Sequence, residues 1–302
     1  MNVLEIKEVS KQFGTKKVLN QLSFSIPKGS IFGFVGENGA GKTTLMKLIL
    51  GLDNLTAGEI YINGQQVHFG ETKTNQMTGY LPDVPEFYDY MNSTEYLMLC
   101  AEITKIDKKQ RRTRVEEMLE LVGLANNDRR IKGYSRGMKQ RLGIAQALLN
   151  EPEFLICDEP TSALDPSGRN EFLDLLASLR GRVTVLFSTH ILSDVERICD
   201  RVGILHHGQL QVIGTLEELK ERYAQAQIEI IFENNEAAQR FISQESNAVL
   251  SSDEGQVFIR YQDSYQAAFA RLIRQLDEQQ LTAKSLRHIA PSLEQIYLEV
   301  TK

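Results

Sequence analysis

The chain has 302 residues, of which 25% are charged and 42% hydrophobic, the composition of an ordinary globular protein with one large domain or a domain plus an appendage. Its 34 basic and 40 acidic side chains leave a net charge of −6, the wrong sign for a dedicated nucleic-acid binder. No apolar run is long enough to cross a bilayer, and Glu5, Lys7 and Glu8 come too early for a secretory signal. Cys100, Cys157 and Cys199 are odd in number and scattered, so neither a disulfide framework nor a metal cluster is expected and the setting reads as reducing and cytosolic.

Residues 3–35 alternate apolar and polar in short pieces, as in Val3–Lys7 and Leu22–Ile26, and Gly58–Gly64 does so again with an Asn-Gly turn pair. These predict a small antiparallel sheet around a buried strand at Ser30–Val35. Phe13, on a loop before Val18-Leu19, is placed to stack on a purine ring; a lone Phe is more often core. After the buried strand comes Gly36-Glu37-Asn38-Gly39-Ala40-Gly41-Lys42-Thr43-Thr44, which fits G-x-x-x-x-G-K-[ST], and then a helical run Leu45–Leu50 that Gly51 would end as a left-handed cap. Strand, glycine loop and helix aim backbone N–H groups and a helix N-terminus at phosphate oxygens. Lys42 would add a positive charge for the β- and γ-phosphates and the Thr43 hydroxyl would ligate Mg²⁺. This stretch predicts binding of a nucleoside triphosphate.

From about 85 to 150 the pattern is helical. Asn92–Glu95 and Asp107–Gln110 both resemble capping boxes, and Val115, Met118, Leu119 and Val122 form an apolar stripe. Lys108, Lys109, Arg111, Arg112 and Arg114 are followed by Glu116, Glu117 and Glu120, which reads as a solvated helix face. Phe154–Pro160 is an apolar strand ending in Asp158 and Glu159, where ligands of open α/β sheets gather. Val183–Thr189 repeats the design and ends in His190. Arg201–Leu205 and Gln209–Ile213 read as a hairpin around His206-His207-Gly208; the adjacent histidines could pair on a metal, but without other ligands they are more often just a turn. Beyond a boundary at Gly214-Thr215 lies a small α+β unit. Its strands are expected at 227–232, 256–261 and 281–286. Tyr265, Phe269, Leu272, Ile273 and Leu276 would form one helix face, and Pro291–Val300 a closing helix.

Tyr134-Ser135-Arg136-Gly137-Met138-Lys139-Gln140-Arg141-Leu142 resembles the signature sequence of ATP-binding-cassette (ABC) proteins. The order of phosphate loop, helical insertion, signature, Asp158-Glu159, Ser162–Asp165 and His190 is also that family's, and the resemblance covers residues 1 to about 215. It implies an α/β P-loop NTPase cassette over 1–214, with a parallel core sheet, an antiparallel β subdomain and a helical subdomain, followed by the α+β domain at 215–302. It further implies that ATP binds Phe13 and Gly36–Thr44, that Asp158 joins Thr43 around Mg²⁺ with Asp83 approaching the Mg²⁺ or the attacking water, that Glu159 is the general base or at least positions that water, and that His190 touches the γ-phosphate. Ser135, Arg136, Gly137 and Met138 would face the ATP held by a second cassette, with Asp165 in the interface loop. A homodimer, or a heterodimer with a similar chain, is therefore implied. So is a separate membrane permease, with this chain peripheral on the inner face of the membrane. The ending Ser292–Glu299 resembles the tail of single-cassette subunits of drug, lipid and polysaccharide exporters. The chain departs from the family pattern at Asp83 (usually glutamine), at Arg136 (usually glycine) and at Met138 (usually glutamine). The alternative is a soluble cassette ATPase acting on ribosomes or nucleic acid; the single cassette and negative charge weigh against it.

Overall fold

A computed structural model describes the chain apart from residues 71–72, 126–127, 224–226, 244–247, 251–254, 262–263, 290–291 and 302, and the side chains of 248–250. The chain divides into two compact units, Met1–Leu216 and Glu217–Val300.

In the first unit, β1 (Asn2–Phe13) and β2 (Lys16–Pro27) pair antiparallel before the wholly buried β3 (Ile31–Val35), which leads through the glycine loop into α1 (Lys42–Ile49). β4 (Ala57–Ile62) and β5 (Gln65–Gln66) turn at Asn63-Gly64, and the antiparallel sheet runs β2-β1-β4-β5. Its core side lies on the phosphate-loop strand. The Phe24 ring stacks on Phe32 and Phe34, centroids 5.6 and 5.8 Å away, in one cluster with Leu45, Met46, Leu48 and Ile49 of α1. Burying each such side chain contributes about 1.5–3 kcal/mol. Gly51 ends α1 as expected: its φ is 65°, and the amides of Gly51 and Leu52 donate to the Leu48 and Lys47 carbonyls at 3.0 and 2.8 Å.

β6 (Thr78–Leu81) precedes the helical insertion of α2 (Ser93–Ile103), α3 (Arg111–Leu121) and α4 (Arg136–Leu148). Asn92 and Glu95 form a reciprocal capping box on α2. Asp107 does not cap α3. Its carboxylate accepts from the Lys109 amide at 2.8 Å in a local turn, and the helix starts at Arg111 with no side-chain cap from Gln110. The Val115–Val122 stripe is buried. Arg112 pairs with Glu116 in solvent, whereas Arg114 turns inward and donates to the Leu148 and Leu149 carbonyls, closing the end of α4.

There follow β7 (Phe154–Asp158), α5 (Pro166–Ser178), β8 (Thr184–Thr189), α6 (Leu192–Ile198), β9 (Arg201–His206) and β10 (Gln209–Thr215). The main sheet runs β10-β9-β3-β8-β7-β6, parallel except for β10. β3, β7 and β8 are buried along their whole length, as unbroken apolar strands of a parallel sheet are. Gly36, Asp83, Glu159 and His190 consequently leave one edge of the sheet, at the carboxyl ends of β3, β6, β7 and β8. The β9–β10 turn is His207-Gly208, with His206 already paired to Gln209. The boundary drawn at Gly214-Thr215 falls inside β10.

From α7 (Leu216–Tyr223) the chain enters the second unit, built as β11 (Gln227–Phe232), α8 (Asn235–Ile242), β12 (Ala248–Leu250), β13 (Gln256–Arg260), α9 (Tyr265–Glu278) and β14 (Ala283–Ile289). The antiparallel order β12-β13-β11-β14 makes this a split β-α-β-β-α-β arrangement. Its core joins Ile228, Ile230, Phe232, Phe241 and Val257 to Ala268, Leu272 and Leu276. Ile273 and Tyr265 are exposed, so the inward face of α9 is the 268-272-276 row with Phe269 beside it; the small Ala268 lets the helix approach the sheet. α10 (Leu293–Val300) is the closing helix; Pro291, expected at its start, lies outside the described residues.

Candidate nucleotide site

β3 delivers Gly36 at the sheet edge, and the loop through Gly41 returns the chain into α1. Gly41 has φ 113°, and a Cβ there would meet Leu19 Cδ2 at 2.6 Å, so only glycine serves where β2 crosses the loop. The β9–β10 turn braces the loop from the other side, the Gly208 amide donating to Ala40 O at 3.2 Å. Glu37, Asn38, Gly39 and Thr43 are exposed, and Thr44 half-buried. The Lys42 side chain is buried, its ammonium donating to Gly36 O at 2.5 Å and to Glu37 O at 3.2 Å.

Asp158, buried at the end of β7, accepts from Thr43 Oγ1 at 2.9 Å on one carboxylate oxygen and from Ser188 Oγ at 3.0 Å on the other. Burial pushes its carboxyl above the usual carboxylate range, against the two hydroxyl bonds and the Lys42 charge, while Glu159 pushes the same way as burial. Burial, Asp158 and Asp83 together raise the Tyr80 phenol to about 12. Glu159 follows with φ 46°, a left-handed conformation costing a non-glycine residue about 1–3 kcal/mol, and its amide donates to Ser188 O at 3.0 Å. This bend aims the carboxylate back at the loop. Oε1 lies 3.1 Å from Lys42 Nζ, an ion pair outside hydrogen-bond alignment, and Oε2 lies 2.8 Å from His190 Nδ1.

The Thr43 hydroxyl and Asp158 carboxylate form an all-oxygen pair suited to a hard divalent cation. No group of three or more His, Cys, Asp or Glu among the described residues could hold a metal unaided. A cation here would thus need phosphate and water oxygens as well, which fits Mg²⁺ bound with a nucleotide.

Asp83 accepts from Ser162 Oγ at 2.8 Å on its side chain and from Gln140 Nε2 at 2.6 Å on its carbonyl. Ser135 caps α4, its Oγ accepting from the Met138 amide at 3.2 Å; Arg136 is exposed beside it. Asp165 is exposed at the head of α5 and makes no capping bond, with Pro166 next. Lys42, Thr43, Asp158, Glu159 and His190 are therefore brought together. Among the described residues no hydrogen bond or ion pair joins Ser135–Met138 or Asp165 to that cluster. Phe13 is 50% exposed and outside the core.

Sequence reasoning missed four supports. Ser188 was legible as a small polar residue in an apolar strand; Ser162 had no such signal. Nor did Thr161 and Arg169, which donate to the buried Asp194 of α6 at 2.7 and 2.6 Å and tie the segment after Glu159 to the helix after His190.

Residues 19–162 match the family model described as ABC transporter, and residues 214–301 the one described as ATP-binding protein DrrA1-3-like, C-terminal domain. The chain is 34% identical to YhcH, an uncharacterised ABC transporter ATP-binding protein of Bacillus subtilis (strain 168), over 99% of this chain and 96% of that one. It is 40% identical to the bacitracin transport ATP-binding protein BcrA of Bacillus licheniformis, over 73% of this chain and 72% of that one. It is similar in structure to the dimeric post-hydrolysis state of the ATP-binding cassette MJ0796 bound to ADP and Pi, with TM-score 0.63 and 26% identity over 70% of this chain and 98% of that one.

Proposed function

This chain belongs to the ABC transporter ATP-binding proteins, and from that premise we propose that it is an ATP-hydrolysing subunit that dimerises around ATP and drives a separate membrane permease, in the direction of export. The observation that carries the reading is the convergence of Lys42, Thr43, Asp158, Glu159 and His190 at one sheet edge. The glycine loop and the N-terminus of α1 cradle the phosphates, and Lys42 exchanges its carbonyl partners for the β- and γ-phosphate oxygens. Thr43 and Asp158 would hold Mg²⁺, which would supply charge neutralisation at the phosphates when bound. Glu159 takes the proton of the attacking water, His190 orients it and senses the γ-phosphate, and Asp83 positions the water from the neighbouring strand.

Ser135–Met138 head their own helix and, among the described residues, share no hydrogen bond or ion pair with this cluster, so they suit the nucleotide of a second cassette, with Asp165 in the interface loop. The structurally similar cassette MJ0796 is dimeric in a post-hydrolysis state bound to ADP and Pi. Export follows the bacitracin transport relative. No helix among the described residues is long and apolar enough to cross a membrane, and the permease is read as a separate chain on the family's pattern. The exposed Val84, Tyr88 and Tyr90 after Asp83 are the surface offered to it.

Glu159→Gln is the test. ATP binding stays near the wild-type level, phosphate release falls at least about 100-fold, and an ATP-bound dimer persists on size-exclusion chromatography. Hydrolysis at the normal rate would remove Glu159 from its role.

A further inference from the structure

Lys11 is a buried lysine that the nucleotide-site reading does not use. Irregular pairing on both sides of it, between Val9 and Lys11 and between Lys11 and Gln12, turns its side chain inward. There its ammonium donates to Asp53 Oδ1 and to Asn54 O, both at 2.7 Å, in the segment just beyond α1. The same ammonium lies 4.6 Å from the centroid of the Phe13 ring. Lys11 pairs across the strands with Leu19, the residue whose side chain occupies the space beside Gly41. The aromatic ring at the tip of the hairpin and the helix that begins at Lys42 are thus tied through one charged group.

We propose that Lys11 is a positioning residue for the nucleotide base: it holds one face of Phe13 by a cation–π contact and anchors the ring to the far end of α1, leaving the other face for the purine. This rests on the reading that the base stacks on Phe13. A cation within about 6 Å of a ring centroid is attracted to its π face, and a ring held from one side loses less freedom when a ligand stacks on the other. The lowered carboxyl of Asp53, due first to its hydrogen bond from Lys11, keeps this anchor ionised.

The test is calorimetric titration of the full-length chain with Mg-ADP and with Mg-pyrophosphate, which lacks the base. Lys11→Met keeps the aliphatic stem and removes the charge. It weakens ADP about three- to tenfold, the scale of one cation–π contact, and leaves pyrophosphate within about twofold. In a Phe13→Ala background the same substitution changes ADP affinity no further. Equal losses for both ligands, or an added loss in the Phe13→Ala background, would assign Lys11 a general structural role and overturn the proposal. If Phe13→Ala weakens ADP while Lys11→Met does not, Lys11 alone is wrong. If Phe13→Ala leaves ADP affinity unchanged, the stacking premise fails, and the proposal with it.

Discussion

Glu159 Oε2 sits 2.8 Å from His190 Nδ1, so the carboxylate at the end of one parallel strand is held by the ring at the end of its neighbour. The two are 31 positions apart in sequence and meet because β7 and β8 run side by side. Removing the ring leaves that oxygen only the weaker bond from the residue 190 backbone amide, 3.4 Å long, while Lys42 still holds the other oxygen. His190→Ala is therefore expected to lower kcat about 100-fold and to leave ATP affinity within about threefold, measured by phosphate release and equilibrium binding. A loss confined to affinity would show that His190 serves binding alone.

Ser135 caps α4 and, in the proposed function, also faces a second cassette's nucleotide; one substitution reads both. As the cap of α4 it contributes about 1 kcal/mol, so Ser135→Ala lowers the thermal midpoint of the isolated chain by roughly 2–4 °C. As a group facing a second cassette's nucleotide, its loss reduces ATPase turnover while the chain still binds ATP normally. Wild-type specific activity rises with protein concentration, as expected when each site is completed by another chain. Specific activity independent of concentration down to the monomeric range would contradict that arrangement.

Asp194 is buried with Arg169 and Thr161 as its partners. Asp194→Ala takes the acceptor from the buried Thr161 hydroxyl and the carboxylate from Arg169, which is partly exposed and keeps its 3.2 Å bond to Ser193 Oγ, so the loss is that of hydrogen bonds to a charged group, about 1.5–3 kcal/mol. Urea unfolding of the variant shifts to a lower midpoint with little change in slope. A change below about 1 kcal/mol would mean the network carries little stability.

The pH dependence of the free chain follows from Asp158. Because its carboxyl is raised in the folded state, its favourable contribution is complete below the unfolded carboxylate value of about 4 and is lost as pH rises through the raised folded value. Removing that charge is therefore favourable to folding above the carboxylate range, and Asp158→Asn is expected to melt above wild type at neutral pH without nucleotide. The gap closes as pH falls into the carboxylate range. A variant that melts lower at neutral pH would show that the Thr43 and Ser188 bonds outweigh burial.

Local chemistry was legible and distant chemistry was not. The phosphate loop is nine contiguous residues between a buried strand and a short helix, and every part of its pattern is local. Asp158, Glu159 and His190 could be placed at strand ends because apolar runs stop there. Nothing local joins Asp83 to Ser162, which are 79 positions apart and meet only through the pairing of β6 with β7. Asp107 shows the reverse error: its spacing imitates a helix cap, but a two-residue turn takes its carboxylate first. In the second unit, α8 went unseen although the equally short α10 was read, and the longer α9 was recognised with only its inward face misjudged.

Asp83 is gripped twice, by Gln140 from α4 on its carbonyl and by Ser162 from the loop after Glu159 on its side chain. Through this one residue the helix headed by Ser135 shares a partner with the segment that carries Glu159. Any ligand that draws the Ser162 loop to a new position changes the free energy of holding α4, and thermodynamic reciprocity requires that whatever shifts α4 alters the first ligand's affinity by the same factor. A partner pressing on the helical insertion would thus retune nucleotide affinity at a distance, and nucleotide would retune the grip of that partner in equal measure.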